Sequence, residues 1–135
     1  MLKSVIGVFI VLHGLVHLLY VGQSQRLFEL EEGMLWPEDS WAFSKLLGYK
    51  ATRRLASISC LLAALGFVVG GVAILMRQAW WRPVVVAAAA FSSAIFVLFW
   101  DGKKRNLNNQ GAIAILINLA ILVAVLIFQW PDFGF

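Results

Sequence analysis

The chain has 135 residues, enough for one domain, and is 61% hydrophobic but only 13% charged. An ordinary soluble domain is roughly 45–50% apolar and about 25% charged, so the proportions speak against a soluble enzyme and for a membrane protein. The net charge of +4 is small and sits between apolar runs, no nucleic-acid motif is present, and the single cysteine, Cys60, excludes an intrachain disulfide and dithiol redox chemistry.

The first apolar run, residues 4–22, reads as a transmembrane helix. It carries His13 and His17, and Val21-Gly22-Gln23 is a poor cleavage site, so it is expected to be a retained span and not a signal peptide. At about 100° per residue, His13, His17, Tyr20 and Ser24 share one face. The loop 23–54 follows. It is no Gly/Ser linker, and Pro37-Glu38-Asp39-Ser40 reads as a helix start with Asp39 or Ser40 as the N-cap. Trp41, Phe43, Leu46 and Leu47 then give an apolar face and Gly48 a stop, so a short interfacial helix over 41–47 is expected, with Leu27 to Leu30 packing beside it.

Three further runs are long enough to cross a bilayer: 55–76, 81–100 and 111–130. In lipid each must be helical, because an exposed backbone polar group finds no partner there. Pro83 falls in a first helical turn, where its missing N–H costs little. Trp80, Trp81, Trp100 and Trp130 stand at span ends, as an aromatic belt would. The fold class is therefore all-α: a single integral membrane domain over 1–135, a four-helix bundle with a long first loop containing a short interfacial helix.

Orientation follows from the cations. Arg26, Lys45, Lys50, Arg53, Arg54, Lys103, Lys104 and Arg105 lie on one side, against Lys3, Arg77 and Arg82 on the other. The excess puts loops 23–54 and 101–110 in the cytoplasm and both termini outside; the loop acids Glu29, Glu31, Glu32, Glu38 and Asp39 count little.

Helices in lipid need small residues to meet closely. Gly7 and Gly14, Ala56-Cys60-Ala64, the Gly66/Gly70 pair and Ala87 to Ala90 supply them. Packing within the bundle is the expected use, with a homodimer face through Gly66 and Gly70 as the alternative.

Counted inward from the loop side at about 1.5 Å per residue, His17 lies about 7 Å deep and His13 about 13 Å. On the same count Ser57, Ser59 and Cys60 lie roughly 3–8 Å deep, Asn118 about 10 Å, and Ser92 and Ser93 about 11–12 Å. The polar side chains thus fall mostly in the cytoplasmic half. A pocket between the helices is expected there, with His13, His17, Ser59, Ser92 and Asn118 inside and Tyr20, Ser24 and Asp101 near its mouth. Serines in membrane helices usually bond their own backbone, and Asn118 alone could serve as interhelical glue. Two ionisable rings on one membrane face are harder to explain by packing.

A His-x-x-x-His pair can give two imidazoles to a transition metal, but the Glu of the usual helical zinc motif is replaced by Gly14. Haem fits less well, because axial ligands approach from opposite sides. A quinone-like molecule needs only an apolar slot and one or two donors. No serine–histidine–acid set, phosphate loop or paired carboxylates stand out, so catalysis by the chain alone is not expected.

Gly7, His13-Gly14 and His17 in the first of four spans resemble the first helix of the DoxX-like membrane proteins. The resemblance implies a four-helix bundle, sometimes a subunit of sulfur- or thiol-oxidising, quinone-linked membrane systems. It covers about fifteen residues. The acidic residue expected in that family's second helix is absent, since no carboxylate lies between Leu55 and Met76. Only the fold and the His13/His17 position carry over. The expectation is an accessory or ligand-binding subunit in the lipid bilayer, within a homodimer or larger membrane complex. The alternative is a structural protein that docks a partner through loop 23–54.

Overall fold

The computed structural model describes residues 1–28, 36–37, 39–102 and 111–135. Glu29, Leu30, Glu31, Glu32, Glu38 and the basic cluster Lys103 to Arg105 lie outside the described residues. The described chain is helical and contains no strand: α1 Leu2–Ser24, α2 Ser44–Leu75, α3 Trp81–Leu98 and α4 Ala112–Leu122, the last continued by a π-helical turn Val123–Ile127.

α1, α2 and α3 are long and apolar enough to cross a membrane. Counted through its π turn, α4 is apolar over Ala112–Ile127. At 1.5 Å per residue that is about 24 Å, short of the ~30 Å hydrocarbon core. The expected fourth span ran to Trp130. Instead the chain leaves the helix with a Phe128 N–H bond to Val123 O (3.2 Å) and Gln129 at φ 53°.

The expected short helix and second span are nearly one helix. The helix expected from Trp41 starts only at Ser44, with Phe43 as its N-cap and no side-chain cap; Ser40 Oγ accepts the Phe43 N–H at 3.2 Å within the turn that precedes it. The helix is interrupted at Gly48, whose φ of 77° an L side chain rarely adopts. It resumes at once, with Thr52 Oγ1 donating to Gly48 O at 2.7 Å. Lys50, Ala51, Arg53 and Arg54 are good helix formers, so the charged lead-in is helical regardless of where lipid begins.

The helices pack in chain order, α1 on α2, α2 on α3, α3 on α4, while α1 and α4 are not packed backbone to backbone. Small residues set the first two interfaces. A Cβ on Gly14 would stand 2.7 Å from Phe67 Cβ, and one on Gly71 would stand 2.7 Å from Gly7 O. A Cβ on Gly70 would meet Val85 at 2.6 Å, and one on Gly66 would meet Ala88 at 3.0 Å. Gly66 and Gly70 therefore face α3 of the same chain.

Two apolar cores result. One, near the start of α3, joins Ile10, Phe67, Ile74, Trp81, Val85 and Ile121. The other, near the loops, joins Trp36, Cys60, Ala63, Phe96, Phe99 and Ala114. Leucine, valine and isoleucine side chains cover much of the outside, Leu12, Leu62, Leu65, Ile113 and Leu116 being more than half exposed. So large an apolar surface suits lipid and not water.

Candidate functional site

Between the two cores lies one polar layer, made of His13 and His17 of α1, Ser92 of α3 and Asn118 of α4. All four are buried, Ser92 and Asn118 completely. Each stands one turn from apolar core residues on its helix: Ile10, Ile95 and Ile121 are neighbours. The four side chains are joined by hydrogen bonds. His13 Nε2 meets Asn118 Oδ1 at 2.8 Å, Asn118 Nδ2 donates to Ser92 Oγ at 2.8 Å, and His17 Nε2 meets Ser92 Oγ at 2.6 Å. His17 Nδ1 meets the His13 carbonyl at 3.0 Å.

That carbonyl fixes every proton in the set. It can only accept, so His17 carries its proton on Nδ1. In the neutral ring Nε2 is then an acceptor, and the Ser92 hydroxyl donates to it. Ser92 Oγ in turn accepts from Asn118 Nδ2, which turns Asn118 Oδ1 to His13 and puts the His13 proton on Nε2. The circuit begins on the His13 ring and ends on the His13 backbone, with each donor facing one acceptor. The two histidines are opposite tautomers. Phe67 packs against both rings, its centroid 4.7 Å from that of His13 and 5.3 Å from that of His17. It excludes other polar partners from that side, and Gly14 makes room for it.

Of the residues expected in a pocket, these four are brought together. Tyr20 belongs to an aromatic group instead, its ring 5.1 Å from Trp36 and 4.8 Å from Phe96. Ser24 forms a second polar contact with Ser57 Oγ at 2.5 Å, which also accepts from Gln25 Nε2. Ser59 is half-buried on α2, and Asp101 half-buried beyond the end of α3, neither in the circuit. No third His, Cys, Asp or Glu joins the histidine pair among the described residues. A metal held by both rings would have to take a His17 nitrogen out of its hydrogen bond, since both nitrogens of that ring are engaged.

A cavity of about 360 Å³ lies beside the circuit, between α1 and α4. Phe9 and Ile10 of α1, Trp81 and Val85 of α3, and Ile121 and Val125 of α4 form its walls. It is therefore one turn beyond the His13–Asn118 bond, on the side where α1 starts. The polar bridge closes it toward the loops, and partly exposed Phe9 and Trp130 border it at the bundle surface. The depth pattern pointed to the loop side of His13, where the polar residues bind one another.

Sequence reasoning missed Trp81. It was assigned to the aromatic belt, and Trp80 (47% exposed) and Trp130 (50%) suit that assignment. Trp81 is 1% exposed, and its Nε1 has no hydrogen-bond partner among the described residues. Its position beside Trp80 gave no signal, because adjacent residues point about 100° apart and either could face inward. Trp36, in the loop, is likewise fully buried. The chain matches no family model, no curated protein and no solved structure.

Proposed function

We propose that the chain is a four-span integral membrane protein, a non-catalytic binding or accessory subunit that holds a small apolar molecule in the cleft between α1 and α4. The cleft itself carries this reading. Its volume of about 360 Å³ falls within the usual range for small-molecule sites, roughly 300–1,000 Å³. Its walls are carbon, so the occupant is recognised by shape and burial. In this reading the histidines are a clasp. They tie α1 to α4 across a gap that the helices do not close by packing, and they hold the cleft at a fixed width.

A quinone-like molecule suits such a slot better than a transition metal, because a metal held by both rings would compete with the circuit for a His17 nitrogen. The resemblance of α1 to DoxX-like proteins agrees with four spans. Residues flanking α4 complete the fourth span at the interface. The positive-inside rule gives the orientation, with both termini outside and loops 23–54 and 101–110 cytoplasmic. On the cytoplasmic side, Trp41, Leu46 and Tyr49 are strongly exposed beside Gly48, as an interfacial helix requires.

The test is occupancy. Protein purified in mild detergent is extracted with solvent and its small molecules are measured by mass spectrometry. A near-stoichiometric apolar molecule is expected in the wild type. Ala124→Phe, which fills the cleft, should lose it while keeping the helical fold. Equal amounts in both proteins would end the proposal.

A further inference from the structure

We infer that a second recess, at the end of the bundle where α1 starts, binds a phosphate monoester through Lys3 and Arg77. It shares no wall residue with the cleft and stands whether or not the cleft holds a ligand.

The recess has a volume of about 420 Å³, and Met1, Lys3, Arg77, Phe133, Gly134 and Phe135 form its walls. Lys3, Arg77 and Arg82 are the basic side chains at this end of the bundle. Arg82 is held by Gln129 Oε1 at 3.2 Å and by the Gln129 and Pro131 carbonyls at 3.3 Å and 3.1 Å. The other two converge on the recess from different helices. Lys3 stands in the first turn of α1, and its Nζ donates at 3.1 Å to the carbonyl of Leu75, the last residue of α2. That bond fixes the ammonium at the recess and uses one of its three protons. Arg77 follows α2 by two residues, at a φ of 58° that L side chains rarely adopt. Among the described residues its guanidinium has no hydrogen-bond or ion-pair partner.

Two like charges in one recess repel, and an anion between them reverses the sign. No acidic side chain lines the walls. Asp132, the acid of the C-terminal segment, accepts the Gly134 N–H at 3.0 Å instead. The amino end at Met1 and the carboxyl end at Phe135 offset each other in charge. α1 begins here with no side-chain cap, so its unpaired first-turn N–H groups add positive potential. The floor is carbon: the Phe133 and Phe135 rings stack, with centroids 5.4 Å apart at 16°, and Phe133 is anchored 5.6 Å from the Trp81 ring. A water-poor floor strengthens charge pairing above it. A carboxylate offers two oxygens and one charge. A phosphate monoester offers three free oxygens and about −1.5 to −2 charge, which match two cations and their remaining donors. Its source is a lipid headgroup at the membrane surface or a soluble ester.

Two probes with the same head separate these sources: glycerol 3-phosphate, and lysophosphatidic acid, which adds one acyl chain. Delipidated protein in neutral detergent is titrated with each, the first read by equilibrium dialysis and the second by native mass spectrometry. Saturable binding of at least one is expected at constant ionic strength. Arg77→Gln and Lys3→Gln should each weaken it about three- to tenfold, the factor one net hydrogen bond supplies. Lys50→Gln removes the same charge at the opposite end of the bundle and should leave binding unchanged. Binding of the lipid alone, lost in the two variants, assigns the site to a headgroup. Equal binding of both probes, lost in the same variants, assigns it to a soluble ester. No binding of either probe, or binding that Arg77→Gln and Lys3→Gln leave intact, overturns the proposal. An equal loss in Lys50→Gln overturns it too, because diffuse charge and no built site would then hold the anion.

Discussion

Replacing Asn118 by leucine tests the clasp. The two side chains are similar in size, so little is lost in packing. What is lost is the acceptor of the His13 Nε2 proton and the donor to Ser92, both at 2.8 Å. Side-chain hydrogen bonds between membrane helices are worth about 0.6 kcal/mol on average and at most about 1.7. The two bonds together contribute roughly 1–3 kcal/mol on that scale. His13 is left with an unpaired buried nitrogen, which places the expected loss in the upper half of that range. His13→Leu removes only one of the two bonds and should cost less. The double variant then strands no His13 proton, so it should be more stable than the sum of the single effects predicts, by about 0.5–2 kcal/mol. Unfolding by a denaturing detergent in mixed micelles, followed by circular dichroism, gives all four stabilities. Ser59→Ala, half-buried and outside the circuit, is the control and should shift stability by no more than about 0.5 kcal/mol. Strict additivity of the two variants would refute the shared bond.

Other outcomes follow from the same geometry. Gly14→Ala should destabilise by about 1–3 kcal/mol, because its Cβ would press on Phe67 Cβ at 2.7 Å and Ala64 O at 3.0 Å; a neutral result in the same unfolding assay would contradict the α1–α2 packing. Gly48→Ala has no atom within 4 Å of its new Cβ but a φ of 77°, so it should cost only about 1 kcal/mol, and hydrogen exchange should place the change in residues 44–52. Ser40→Ala removes the acceptor of the Phe43 N–H and a 2.6 Å bond to Leu98 O, and should speed exchange of the Phe43 amide at a cost of about 1 kcal/mol. In a Cys60→Ala background, single cysteines at Glu31 and Gly134 should label from opposite sides of the membrane; labelling of both from outside would overturn the four-span orientation.

The helices were legible because lipid demands them: runs of apolar residues near the bilayer thickness have no other stable form. The break at Gly48 was legible from local chemistry, whereas the helix start expected at Trp41 falls at Ser44. The shared face of His13 and His17 followed from helical spacing, and the depth count placed Ser92 and Asn118 close to His13. The pairing within that layer was not legible, because it depends on how each helix is rotated about its axis. In a soluble bundle the boundary between apolar and polar faces gives that rotation. Here both faces are apolar, so Trp81 looked the same as Trp80, although one is buried and the other is at the surface. The cleft arises where α1 and α4 fail to pack, a property of the assembled helices and of no single stretch. The short α4 was overextended for a related reason: Phe128 and Trp130 are apolar enough to continue a span, while the π turn that ends the helix has no sequence mark.

The claim that the histidines form a clasp is tested most directly by their protons. Nitrogen-15 NMR of the protein in lipid, with labelled histidine and each residue assigned by mutation, reads the state of every ring nitrogen. The circuit predicts two neutral rings of opposite tautomer: His13 protonated on Nε2, with a coupling across the hydrogen bond to Asn118, and His17 protonated on Nδ1, with Nε2 accepting from Ser92. Two rings of the same tautomer, or a His17 Nε2 that carries a proton or a metal, would contradict it.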